Sequence, residues 1–324
     1  MKYLIFSLLF LTFNVSAHEA CMEPLPGSLE ELLELQKKLH WHAASDRDVK
    51  RAHCLRTKNF TEEEMKQWMK ENDGKIIDST VHGISFEGES EENINAFRHL
   101  TTALTYTRRP DPNRQKTFSS SCKKVQCAME EIFGKSTATQ LLFMHRKFGM
   151  NGSHLSYVNA DPWRKNELDT LLLALNDFPE GILPSQENKQ MIRFKRGYMR
   201  NGGENVIANA VMEFFDPFNE QSIWQRRTTV THEIAHVLAL ESKIAEDPQW
   251  LSLGDWEEKT KVEGGKTSSK NTSPNRRAVS MYGEANHHED FAEAVVAYRY
   301  NPQLLKSISP EKYELIKTVV FDNV

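Results

Sequence analysis

His232 and His236 are the residues whose chemistry is plainest. They stand four apart in Thr229-Val230-Thr231-His232-Glu233-Ile234-Ala235-His236-Val237-Leu238-Ala239-Leu240, an apolar run with no Gly or Pro to break a helix. Residues four apart share one helix face, so two imidazoles can be aimed at one metal ion. Glu233 follows the first imidazole, where its carboxylate can reach a water on that ion without binding the ion itself. This is the zinc-hydrolase arrangement: two helical His ligands, a general base, and further positions supplied by later chain.

A catalytic zinc takes a third protein ligand and keeps one position open for water. The extended three-His spacing is excluded, because position 242 is Ser242 and the Gly position of that motif is Ala239. The ligand must come from further along, where His287, His288, Glu289, Asp290 and Glu293 stand together. From Glu289 the chain reads as a helix with Phe291, Ala294, Val295 and Tyr298 turned inward. Glu289 and Glu293 share a face, so one can bind the metal while the other orients a ligand from behind. Residue types alone leave these alternatives open.

His-Glu-x-x-His followed by Tyr282, then Glu289 (289 − 282 = 7), then Phe291-Ala292-Glu293 resembles the anthrax lethal-factor-like zinc metallopeptidases. The clostridial Pro-Pro endopeptidases share the pattern. The resemblance is one of motifs and covers residues 160–300. It implies one catalytic Zn2+ held by His232, His236 and Glu289, with Tyr282 hydrogen-bonding the developing oxyanion. Asp290 stands where that family has an aromatic residue, and His287 and His288 lie just upstream as rival ligands. The activity expected is that of an exported zinc-dependent endopeptidase: a zinc-activated water hydrolyses a peptide bond, with Glu233 as general base and acid. Two other readings keep the same metal, namely a zinc-binding structural module without turnover and a zinc amidase acting on cell-wall cross-links.

The elements that must position these residues predict an α+β chain. A zincin-like metallopeptidase domain, a small sheet plus active-site helices, occupies residues 151–324; a mainly helical N-terminal region occupies residues 18–150. The metal helix spans 222–242. Before it, 191–198 and 206–215 read as strands, closed by Asp216-Pro217. An edge strand beside the metal can hold an extended peptide by backbone hydrogen bonds. Residues 257–280 are polar and rich in Gly, Ser, Thr and Asn, and read as a mobile loop. In the front half, 28–44 reads as an amphipathic helix. Thr61 and Glu64 form a capping box that opens a second helix, stopped at Asn72-Asp73-Gly74. A short strand region follows over 75–86, then an acidic turn at Glu87-Gly88-Glu89, then helices over 91–106, 122–133 and 136–148. His40, His42, His53, His82 and His99 lack ligand spacing and read as surface or satisfied core histidines.

Composition sets the compartment and the partners. The chain of 324 residues is 39% hydrophobic and 27% charged with net charge -4, so it carries no basic footprint and nucleic acid is not expected as a partner. The expected partner is a protein or peptide substrate. Residues 1–17 read as a cleaved signal peptide: Lys2, an apolar run over 3–15, then Val15-Ser16-Ala17. That predicts a secreted or periplasmic protein. The apolar run is too short to span comfortably and no later stretch is long and apolar enough, so no stable membrane span follows cleavage. The four Cys all precede the metal motif, which removes them as its ligands. An even count in an exported chain points to two disulfides, most simply Cys21 with Cys54 and Cys122 with Cys127.

Overall fold

Thr61 supplies the cap that starts the first helix. Its hydroxyl accepts the Glu64 N–H at 3.1 Å, and the Glu64 carboxylate accepts the Thr61 N–H at 2.7 Å. The computed structural model describes residues 59–105, 120–150, 163–178, 191–193, 206–208, 212–263, 266–272 and 278–321. The signal peptide at 1–17, the helix at 28–44 and the Cys21–Cys54 bridge lie outside them. Over the described residues the protein is mixed α and β and mostly helical.

The front half runs α1 (Glu62–Glu71), β1 (Ile76–Val81), β2 (Ile84–Ser90), α2 (Glu91–Thr105), α3 (Val125–Phe133) and α4 (Lys135–Phe148). β1 and β2 form an antiparallel hairpin closed at His82-Gly83, where both residues have positive φ (52° and 83°). The acidic turn expected at 87–89 is instead part of β2. Buried Glu89 there accepts the Val125 N–H at 2.9 Å and so caps α3, whose own cap residue, Lys124, sends its ammonium to the Glu87 and Gly88 carbonyls and makes no capping bond. Arg146 of α4 covers the other end of α1, donating to the Met69 and Asn72 carbonyls at 2.8 and 2.9 Å. Cys122 and Cys127 pair as expected, their Cα atoms 5.6 Å apart at the start of α3.

The second half continues with α5 (Lys165–Leu175), β3 (Met191–Arg193), β4 (Val206–Ala208), β5 (Met212–Phe214), α6 (Asp216–Glu220) and α7 (Ile223–Ser242). A 3-10 turn (Ile244–Glu246), α8 (Pro248–Leu253), β6 (Glu257–Glu263) and β7 (Lys266–Thr272) come next. A second 3-10 turn (Gly283–Ala285) leads into α9 (His287–Tyr300), α10 (Pro302–Ile308), α11 (Pro310–Ile316) and a π turn (Lys317–Phe321). The single strand expected over 206–215 is two strands. β4 and β5 pair antiparallel, Val206 opposite Phe214 and Ala208 opposite Met212, while β3 lies parallel on the other side of β5. The sequence between β4 and β5, Asn209-Ala210-Val211, contains no Gly or Pro to mark a change of direction. The loop expected at 257–280 is largely an antiparallel ribbon, from Glu257 opposite Thr272 to Glu263 opposite Lys266. Backbone pairing holds a two-stranded ladder whatever its side chains, and this polar stretch lacks the apolar alternation that announces a strand.

One apolar core runs through Phe143 of α4, Leu171 of α5, Ile234 of α7 and Val295 of α9. α7 opens on a Ser222–Gln225 capping box. Its Thr228-Thr229-Val230-Thr231 run is a poor helix former by propensity; burial of all four side chains against neighbours decides the matter. α9 starts at His287 because Asn286 Oδ1 accepts the N–H groups of His288 and Glu289 at 2.9 and 3.0 Å.

A buried polar brace joins the two helices. Asp177, just past α5, accepts from Arg227 Nε at 2.6 Å, Tyr300 Oη at 2.7 Å and Arg299 Nη2 at 3.0 Å. Tyr300 Oη also lies 2.8 Å from Thr231 Oγ1, one residue before His232. Among the described residues no helix is long and apolar enough to cross a membrane.

Removing one member of a buried ion pair strands its partner, so Asp177→Asn is expected to lower unfolding free energy by about 3–5 kcal/mol in denaturant titration. Acid should weaken the front half through His145. This buried ring of α4 lies 3.0 Å from His99 of α2. Burial first, then the charges of His99 and Arg146, push its pKa from 6.5 down to about 4. The unfolded chain therefore binds the proton more readily than the folded one. The stabilisation is complete above the unfolded value and is lost as pH falls through the window to the folded value, about 3 kcal/mol in all. His145→Gln should flatten that part of the stability–pH curve; an unchanged slope would exclude His145 as its source.

Candidate metal centre

α7 and α9 pack along each other and bring His232, His236 and Glu289 to one point. His232 Nε2 lies 2.9 Å from His236 Nε2 and 3.0 Å from Glu289 Oε2, and His236 Nε2 lies 3.1 Å from the same oxygen. Bonds of 2.0–2.1 Å to a tetrahedral zinc would space ligand atoms at about 3.3 Å. The observed triangle is slightly tighter and of the right size for such an ion. Two imidazoles and a carboxylate are also a donor set that zinc accepts.

The surroundings orient the ligands. His232 is buried, and its Nδ1 lies 2.8 Å from Oε1 of the fully buried Glu293, along a path bent from an ideal hydrogen bond. A carboxylate on Nδ1 keeps the proton on that side and turns the Nε2 lone pair towards Glu289. Glu293 Oε2 accepts from Ser280 Oγ at 2.6 Å, and Ser280 Oγ accepts the Gly283 N–H at 3.0 Å. Burial opposes charge on His232, but its bonds with Glu289 and Glu293 outweigh that and push its pKa up to about 10. Burial likewise opposes charge on Glu289, yet His232 and His236 hold its carboxyl well below the usual carboxylate range. The pocket thus favours positive charge at its centre.

Glu233 is partly buried on α7, near enough for its charge to act on both His232 and Tyr282. The Tyr282 ring centroid lies 5.7 Å from that of His232. Burial, then the charges of Glu289, Glu233 and Glu293, raise the Tyr282 phenol above its ordinary value, so it keeps its proton and remains a donor.

The rival ligands go elsewhere. Asp290 is fully buried and accepts from Lys312 Nζ at 2.7 and 2.9 Å and from Trp256 Nε1 at 2.9 Å. His287 and His288 lie against each other with centroids 4.1 Å apart and ring planes tilted by 39°, outside the triangle of His232, His236 and Glu289. Cys122, Cys127 and Glu131 also cluster, but the two sulfurs are bonded to each other and offer no thiolate. Residues missed from sequence are Ser280, Lys312 and the Asp177–Arg227 pair. Nothing in their spacing marks them; only a buried charge in search of a partner would have pointed to the last three.

Metal analysis after dialysis is expected to give one equivalent of zinc in the parent and in His287→Ala and His288→Ala. His236→Ala and Glu289→Ala should fall well below one. Full occupancy in Glu289→Ala would remove it from the ligand set. Comparison with protein-family models, curated proteins and solved structures finds no match to this chain, so the candidate site rests on its own geometry.

Proposed function

We propose that this protein is an exported zinc-dependent endopeptidase with a zincin-like catalytic region. The observation that carries the reading is the convergence of His232, His236 and Glu289 within about a hydrogen bond's length of one another, with Glu233 and Tyr282 beside them. When bound, zinc supplies Lewis acidity towards a water and a carbonyl oxygen.

The chain's own residues do the rest. His232, His236 and Glu289 hold the ion, and Glu293 fixes the His232 ring from behind. Glu233 takes a proton from the attacking water and delivers it to the amine nitrogen as the C–N bond breaks and the new C–O bond forms. Tyr282 keeps its phenolic proton and hydrogen-bonds through it to the carbonyl oxygen as negative charge develops there. β4 is an edge of its sheet and packs against α7. An extended peptide can add to that edge through its backbone, which places the scissile bond without relying on each side chain. The Cys122–Cys127 pairing agrees with an oxidising compartment, secreted or periplasmic.

Glu233→Gln is the test. It is expected to keep one zinc yet lose about 10²–10⁴-fold in cleavage of a peptide library followed by mass spectrometry. A parent that binds zinc and cleaves no peptide would return the site to a non-catalytic role. Equal activity in parent and variant would remove Glu233 from the chemistry.

A further inference from the structure

We propose that Ser280 is a positioning residue for this site: one buried hydroxyl sets the ring orientation of His232 and the placement of Tyr282 together. The inference rests on the metal reading above and goes beyond it, since the Ser280 hydroxyl bonds to neither a ligand residue nor Tyr282 itself.

The hydroxyl has a single proton, which it gives to Glu293 Oε2 at 2.6 Å. That is the short, charge-assisted type of O–H···O⁻ bond. The same oxygen must then act as acceptor on its other side, and there it receives the Gly283 N–H at 3.0 Å. Ser280 and Glu293 are both wholly buried. The other buried carboxylate of this helix, Asp290, is held by the Lys312 ammonium and Trp256. Glu293 is held by Ser280 on one oxygen and faces His232 Nδ1 at 2.8 Å with the other. Its rotation, and with it the His232 ring, is therefore fixed from the Ser280 side.

The second bond closes the turn that carries Tyr282. This turn is seated tightly on α9. A Cβ on Gly283 would stand 3.1 Å from Ala278 Cβ and 3.4 Å from the Asp290 Cα. With the turn closed, the Tyr282 ring is held 5.7 Å from the His232 ring. Loss of the hydroxyl removes the hydrogen bond donated to Glu293 and the acceptor for the Gly283 N–H in one step, which ties metal affinity to the aim of the phenol.

The experiment uses the full chain with Ser280→Ala, Glu293→Gln and the double variant. Zinc affinity is measured by chelator competition, and kcat and KM are measured at saturating zinc on a peptide the parent cleaves. Ser280→Ala is expected to weaken zinc binding about tenfold or more and to lower kcat more than it changes KM. Added to Glu293→Gln it should change zinc affinity by less than about twofold, because both act through one connection. Parental zinc affinity in Ser280→Ala, or losses that multiply in the double variant, would overturn the proposal. A parent that binds no zinc would overturn the metal reading and this proposal with it, whereas zinc binding indifferent to Ser280→Ala overturns this proposal alone. Should Ser280→Ala not fold, the near-isosteric Ser280→Cys, whose thiol is a weak donor and acceptor, takes its place: weakened zinc binding supports the proposal, and parental zinc affinity overturns it.

Discussion

Asp177 holds α7 and α9 at the separation that brings His232, His236 and Glu289 together. Its carboxylate takes hydrogen bonds from Arg227 on α7 and from Arg299 and Tyr300 on α9. Tyr300 in turn meets Thr231, next to the first imidazole. Apolar packing between the helices is not directional and would tolerate sliding by a fraction of a turn. Three ligand atoms about 3 Å apart would not tolerate it. A buried ion pair adds little net stability over a hydrophobic substitute, so fixing the register of α7 on α9 is the role that its geometry best explains.

The same logic recurs closer to the centre, where half-buried Glu289 and fully buried Asp290 and Glu293 crowd one turn and a half of α9. Glu289 meets the two imidazoles, Asp290 takes Lys312 and Trp256, and Glu293 takes Ser280 on one oxygen and faces the back of the His232 ring with the other. Successive helix residues point about 100° apart, so adjacent carboxylates can serve separate purposes without sharing a site. Asp290 therefore anchors α11 and Trp256 to α9 instead of entering the triangle of His232, His236 and Glu289. Trp256 directly precedes β6, so the polar ribbon leaves the protein body from a fixed point beside α9.

What the sequence revealed was local. The Thr61 capping box, the helical spacing of His232 and His236, and the Cys122–Cys127 pair depend on residues a few positions apart, where chain geometry alone limits the outcomes. The choice among His287, His288, Glu289, Asp290 and Glu293 depended on which way α9 faces α7, and residue type does not say that. β6 and β7 were hidden because a polar ribbon has no apolar alternation, and the β4–β5 reversal because no Gly or Pro marks it. Asp177 and Arg227 stand 50 residues apart, so their pairing is a property of the packed core.

The most direct test of the central claim is anomalous diffraction at the zinc absorption edge, using crystals of the full chain grown with zinc. The geometry calls for one strong peak bonded to Nε2 of His232, Nε2 of His236 and a carboxylate oxygen of Glu289. A peak on His287 or His288 instead, or no peak between α7 and α9, would contradict it.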